Sequence, residues 1–235
     1  MITKADLLNR FPGLVRIIAA KMRYLQYRRY DGMSITDVFE DIYAKRSWGS
    51  NESVSGRGSE MGRTEIVRKE LPKVIDTIGA RSLLDIPCGD FNWMKAADLS
   101  KIERYIGADI VERLIHSNQQ NHGRHGVEFR LLDITSGPLP KVDLILCRDL
   151  LIHLSDADIW KSLKAIKDSN SKYISLTTYR NLDTNYDITT GALHRINLER
   201  PPYNFQIALR YIEENGRIGA RKSLGLWRVS DLPVQ

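Results

Sequence analysis

Asp149 and His153 lie four residues apart in "VDLILCRDLLIHLS", and on a helical turn that spacing sets both side chains on one face. An imidazole, with a reference pKa of about 6.5, takes a proton at neutral pH, and a neighbouring carboxylate can fix its orientation. The pair therefore suits deprotonation of a hydroxyl. A lone histidine after a strand also serves as a structural hydrogen bonder, and both roles stay open for His153. Arg148, beside Asp149, either meets an anionic group or reaches solvent.

Upstream, three apolar runs each close on an acid: "SLLD" at Asp85, "YIGAD" at Asp109 and "FRLLD" at Asp133. Carboxylates repel phosphates, so three of them at consecutive strand ends argue against a phosphate-binding site. They suit a ligand that offers hydroxyls, an amine and a positive charge. The turn after Asp85, "IPCGD", has a single glycine and lacks both a phosphate-loop lysine and the G-x-G-x-x-G of a dinucleotide site. A nicotinamide-dependent oxidoreductase is disfavoured on that ground.

The elements that must position these acids follow from an alternation along the chain. "RSLLDI", "RYIGADI", "VEFRLLDI", "KVDLILCRDL" and "KYISLTT" read as strands, and "FNWMKAADLS", "VERLIHSNQQN" and "SDADIWKSLKAIKDS" as helices. The pattern predicts a parallel sheet covered on both faces with right-handed crossovers. In such sheets ligands bind beyond the carboxyl ends of the strands, where strand order reverses. Residues 60–78 read as a helix before the first strand, and Asn215-Gly216 as a turn between two late strands.

With 235 residues, 42% hydrophobic and 27% charged, the chain can bury one sizeable core. No apolar run reaches the roughly 20 residues of a membrane span, and the chain reads as cytoplasmic. Cys88 and Cys147 lack the spacing of a zinc site or a disulfide framework, so no metal is expected. The formal net charge of +6 is concentrated at the start, where Lys4, Arg10, Arg16, Lys21, Arg23, Arg28 and Arg29 face Asp6 alone. A solvated helix packed on the domain is the commoner outcome for such a stretch; peripheral contact with anionic lipid or an acidic partner is the other. We divide the chain into a basic helical extension with a Ser/Gly lid over residues 1–59 and a ligand-binding domain over 60–235.

In order and spacing, "LLDIPCGD", "YIGADI", "FRLLDIT" and "VDLILCRDLLIHL" resemble the class I S-adenosylmethionine-dependent methyltransferases, over about Arg81 to Thr177. The resemblance implies an α/β, Rossmann-like seven-stranded sheet, mainly parallel with the last strand antiparallel, and helices on both faces. It implies S-adenosylmethionine as cofactor, a molecule with the hydroxyls, amine and positive charge inferred above. Asp85, Pro87 and Gly89 would flank its methionine portion, with Arg148 near by. Asp109 would meet the ribose and Asp133 the adenine amine, with Ile110 and Ile134 against the ring. The family's first turn has glycine at every second position after the acid, whereas this chain has Pro87, Gly89 and Phe91 there.

"DIPCGDFNW" further resembles a bacterial subgroup with a D-x-P-C-G-D-x-x-W motif, associated with cell-surface polysaccharide modification. There, "WGSNESVSGRGSEMGRT" looks like a lid in which Trp48, Ser55, Gly56, Gly58, Ser59 and Thr64 would close over the cofactor. From the residues alone this segment offers amides and hydroxyls that grip a carboxylate, or is a plain connector.

The long polar stretch "TTYRNLDTNYDITTGALHRINLERPPYNF" carries Tyr179, Arg180, Asn185, His194, Arg195 and Asn197, groups suited to a sugar or other polyol acceptor. Turn formation is the alternative for its Asn and Asp members. "RPPY" at Arg200 stands far from the fourth strand, where a nucleic-acid aminomethylating motif belongs. The expected reaction is methyl transfer to a small-molecule or glycan-type acceptor at oxygen. An RNA methyltransferase ranks lower, since no RNA-binding module is appended, and a non-catalytic cofactor-binding protein stays open.

Overall fold

Leu83 and Leu84 are neighbours in the chain yet belong to separate hydrophobic cores, because successive side chains of a strand point to opposite faces of its sheet. The computed structural model describes residues 27–214 and 221–233. Seven strands form one sheet: β1 (Ser82–Asp85), β2 (Arg104–Asp109), β3 (Val127–Leu131), β4 (Leu144–Cys147), β5 (Tyr173–Tyr179), β6 (Arg210–Glu213) and β7 (Lys222–Arg228). Their order is β3-β2-β1-β4-β5-β7-β6. β1 pairs in parallel with β2 and β4, and β7 is antiparallel to both β5 and β6. The chain winds outward from β1 to β3, then returns to β4 on the other side. The reversal therefore lies between β1 and β4, and the carboxyl ends of those strands open a crevice.

Among the described residues four helices cover the sheet: α1 (Ile35–Ala44), α2 (Glu65–Ile78), α3 (Glu112–His122) and α4 (Asp156–Asp168). On one face Val38, Phe39 and Ile42 of α1 share a core with Ile159, Leu163 and Ile166 of α4 and with Ile145 and Ile174 of the sheet. On the other, Val67, Leu71 and Ile75 of α2 share a core with Ile115 of α3, Tyr105 and Leu144. Ser34 and Ser155 start α1 and α4 by accepting hydrogen bonds from the backbone N–H of Asp37 and Asp158. Gly79, at φ 64°, ends α2 in the left-handed conformation that a side chain would strain.

The helix expected over Phe91–Ser100 is not formed; only a 3-10 turn, Met94–Ala96, stands there. Phe91 has a φ of 57°, which cannot begin a right-handed helix. The side chains on either side of it are committed to holding another segment, as shown below. Most of the basic start, and the Asn215-Gly216 turn, lie outside the described residues. Among the described residues no helix is long and apolar enough to cross a membrane.

Candidate functional site

Asp85 and Asp109 are the last residues of β1 and β2, and both are buried. The hydroxyl of Tyr105 donates to Asp85 at 2.7 Å. Asp109 accepts the backbone N–H of Gly89 and of Val111, each at 3.1 Å. Burial pushes Asp85 up to about 7, with the charge of Asp109 adding to the effect, and pushes Asp109 up to about 6 against its backbone donors. Two carboxyls so poorly compensated by the protein favour a ligand that brings positive charge or hydrogen-bond donors.

Asp133 does not join them. β3 ends at Leu131, two residues earlier, and Asp133 turns back to accept the N–H and hydroxyl of Thr135 at 2.8 and 2.7 Å. Ile134 is buried in the core instead of facing the crevice, whereas Ile110 lines it.

The turn after β1 is explained by its second acid. Asp90 accepts the hydroxyl of Ser53 at 2.9 Å, the N–H of Val54 at 2.9 Å and the hydroxyl of Ser55 at 3.3 Å, and its own N–H donates to Ser55 at 3.0 Å. Asn92 donates to Glu52 at 2.8 Å and to the carbonyl of Ser59 at 3.1 Å. Asp90 and Asn92 thus clasp the Ser/Gly segment onto the sheet rim, while Phe91 and Trp93, alternating with them along the chain, pack into the core. Gly89, at φ 55°, is where the two strands of chain meet: a Cβ there would strike the Ser55 side chain. Phe91 takes up the positive φ that a glycine would otherwise supply. Thr64 lies beyond the clasp; it is fully buried and donates to the carbonyl of Glu60 at 3.0 Å.

At the end of β4, Asp149 is not the orienting partner of His153. Its carboxylate takes Lys222 at 2.7 Å, Arg148 at 3.2 Å and the Thr177 hydroxyl at 3.2 Å. Burial raises its pKa, but the charges of Lys222 and Arg148 overcome this and hold it well below the usual carboxylate range. Glu214 completes the cluster, 2.5 Å from Arg148 and 3.2 Å from Lys222. His153 is fixed instead by the carbonyl of Ala192, 2.8 Å from Nδ1. A carbonyl only accepts, so Nδ1 carries the proton and Nε2 keeps its lone pair. Burial lowers the imidazole pKa, and the ring of Trp48 packs 5.4 Å from its centre.

In the β5–β6 connection, Tyr179 and Arg195 line the crevice. Three others do not. Arg180 pairs with Glu213 at 2.7 Å and lies over the Tyr211 ring. Asn185 donates to the carbonyls of Asn197 and Pro201. His194 is 1% exposed and bonded to the carbonyl of Tyr186. These residues, with the buried Asn197, replace a missing sheet ladder inside a long loop and hold its shape.

Glu214 and Lys222 carry no local motif. Their signal is topological: β6 runs parallel to β5 and β7 runs against it, so the end of β6 and the start of β7 reach the same rim as Asp149.

These groups surround a cavity of about 490 Å³, within the range of about 300–1,000 Å³ common for small-molecule sites. Trp48, Ser55, Gly56, Ser59, Pro87 and Arg148 also line it. At one end lie Asp85, Asp109 and Gly89, and His153 belongs to the β4 side. Raised carboxyls, close backbone approach and apolar walls fit a nucleoside bearing a cation.

Residues 84–169 match a family model described as a methyltransferase domain. Solved structures share the fold. An S-adenosylmethionine-dependent methyltransferase from Leishmania major matches with TM-score 0.60 at 18% identity, over 86% of this chain and 89% of that one. The N-methyltransferase NodS from Bradyrhizobium japonicum, in complex with S-adenosylhomocysteine, gives 0.59 at 11%, over 80% and 97%. Magnesium protoporphyrin IX methyltransferase from Synechocystis, with bound S-adenosylhomocysteine, gives 0.56 at 14%, over 82% and 99%. No curated protein sequence matches the chain. Residues 84–169 thus form a methyltransferase domain, and the chain has the fold of these S-adenosylmethionine-dependent methyltransferases.

Proposed function

We propose that the enzyme methylates a hydroxyl oxygen of a small polar or glycan-type acceptor, with His153 as general base. The observation that carries this is the hydrogen bond from His153 Nδ1 to the Ala192 carbonyl, which leaves Nε2 without a partner among the described residues on a cavity wall. Bound S-adenosylmethionine supplies an electrophilic methyl group on a cationic sulfur. Asp109 would accept from the ribose hydroxyls, Asp85 and Gly89 would border the methionine portion, and Ile110 would pack on the adenine. The segment clasped by Asp90 closes over both ligands and excludes water. His153 stays neutral at pH 7 because burial lowers its pKa, and its Nε2 would take the acceptor's proton as the acceptor oxygen bonds the methyl carbon and the carbon–sulfur bond breaks, leaving S-adenosylhomocysteine. Asp149 acts at one remove, by holding Lys222 and Arg148. The glycan-type acceptor rests on Tyr179 and Arg195, which line the cavity, and on the likeness of "DIPCGDFNW" to the subgroup linked with polysaccharide modification.

Methyl transfer from labelled S-adenosylmethionine tests this reading. In His153→Gln, kcat at saturating cofactor falls about 10²- to 10⁴-fold while affinity for S-adenosylhomocysteine is kept. Product analysis showing an N-methyl group, or turnover equal to wild type, would contradict it.

A further inference from the structure

Five cationic side chains line the cavity, in two groups. Arg148 and Lys222 are balanced by Asp149 and Glu214. Arg57, Arg63 and Arg195 have no carboxylate within ion-pairing distance among the described residues; Arg195 only lies 5.7 Å from the centre of the Tyr179 ring. Some arginines elsewhere meet acids, as Arg104 and Arg130 meet Glu128 and Arg180 meets Glu213, and others such as Arg46 and Arg124 meet none among the described residues; what sets Arg57, Arg63 and Arg195 apart is that all three line one cavity. The three unbalanced ones come from two separate parts of the chain, the stretch from the clasped segment to the start of α2 and the β5–β6 connection, and converge on one cavity.

The other acids of the cavity do not offset them. Asp149 and Glu214 are engaged by Arg148 and Lys222, and Asp85 and Asp109, at the ends of β1 and β2, form no ion pair with Arg57, Arg63 or Arg195. Trp48, Phe39 and Leu193 give the cavity apolar walls, which concentrate the field of the uncompensated charges. A guanidinium fork matches the oxygens of a carboxylate or phosphate.

Resting on the reading of this cavity as a methyl-transfer site, we propose that the acceptor carries an anionic group, a carboxylate or a phosphate. Arg195 binds it, with Arg57 and Arg63 closing from the stretch before α2, while the acceptor's hydroxyl meets His153. Among glycan-type acceptors this selects acidic sugars and sugar phosphates over neutral ones.

Nitrogen-15 spectra of the arginine side chains, taken on the full chain saturated with S-adenosylhomocysteine, test the proposal. The probes are inorganic phosphate and acetate, with chloride at matched ionic strength as control. Saturation with S-adenosylhomocysteine occupies whichever guanidinium takes the cofactor's own carboxylate, so a response to added anion reports on the acceptor half. The expected result is a saturable shift of the Arg195 signal that chloride does not produce, with binding about fivefold weaker or more in Arg195→Gln. A stronger response to phosphate supports a phosphate ester, and a stronger response to acetate supports a carboxylate. A response no larger than that of chloride would overturn the proposal. So would anion binding unchanged in both Arg195→Gln and the double variant Arg57→Gln/Arg63→Gln. Failure of S-adenosylhomocysteine to bind wild type removes the underlying reading of the cavity; its binding without an anion response removes the anionic acceptor alone.

Discussion

Asp85 closes β1 at 3% exposure, with one hydroxyl donor, and its carboxyl is pushed up to about 7. In an unfolded chain the same group ionises near about 3.9. Between those values the folded state holds a proton that the unfolded state has released. The stability Asp85 contributes is therefore full below about pH 4 and is lost as pH rises through about 7. Asp109 acts in the same direction up to about 6. The ligand-free enzyme thus carries a penalty at neutral pH that a bound cation relieves. Asp85→Asn should stabilise the ligand-free protein at pH 8 by about 2–4 kcal/mol, read from denaturant unfolding, and abolish the stabilisation that S-adenosylhomocysteine gives the wild type. A variant no more stable than wild type at pH 8 would mean that the carboxyl is solvated after all.

Among the elements, the segment over residues 48–59 matters most to the site, and Asp90 is what ties it down. A hydrogen bond to a charged acceptor contributes about 1.5–3 kcal/mol, and Asp90 receives three, from Ser53, Val54 and Ser55. Asp90→Ala should free the segment without disturbing β1, whose ladder to β2 and β4 does not involve Asp90. Hydrogen exchange at Val54 and Ser55 should then quicken while Leu83 and Leu84 stay protected, and affinity for S-adenosylhomocysteine should fall about tenfold or more. Unchanged exchange at Val54 would show that the segment is held by something other than this clasp.

Across the whole molecule, the sheet was legible because its central strands are short apolar runs, β1 and β2 closed by acids, and because β1 to β4 each sit in a repeating unit of strand and connection. The same pattern misled at Asp133, which looks like Asp85 and Asp109 in sequence but follows a strand that stops two residues sooner. It misled again over Phe91–Ser100, where composition favours a helix and the clasp by Asp90 and Asn92 prevents one. Of the site, the acids at β1 and β2 and the His153 position could be read from local patterns. The neutralised cluster of Arg148, Asp149, Glu214 and Lys222 could not, since its members stand up to 74 residues apart and meet only through the reversed direction of β7. Calorimetric titration with S-adenosylhomocysteine between pH 5.5 and 8 probes the two rim carboxyls together, because a ligand that needs them ionised must release their protons on binding. Affinity should rise by about tenfold or more from the acid end to about pH 7, then level off, and Asp109→Ala should lose most of it. Tight binding that is flat across this range and indifferent to Asp109→Ala would contradict the account.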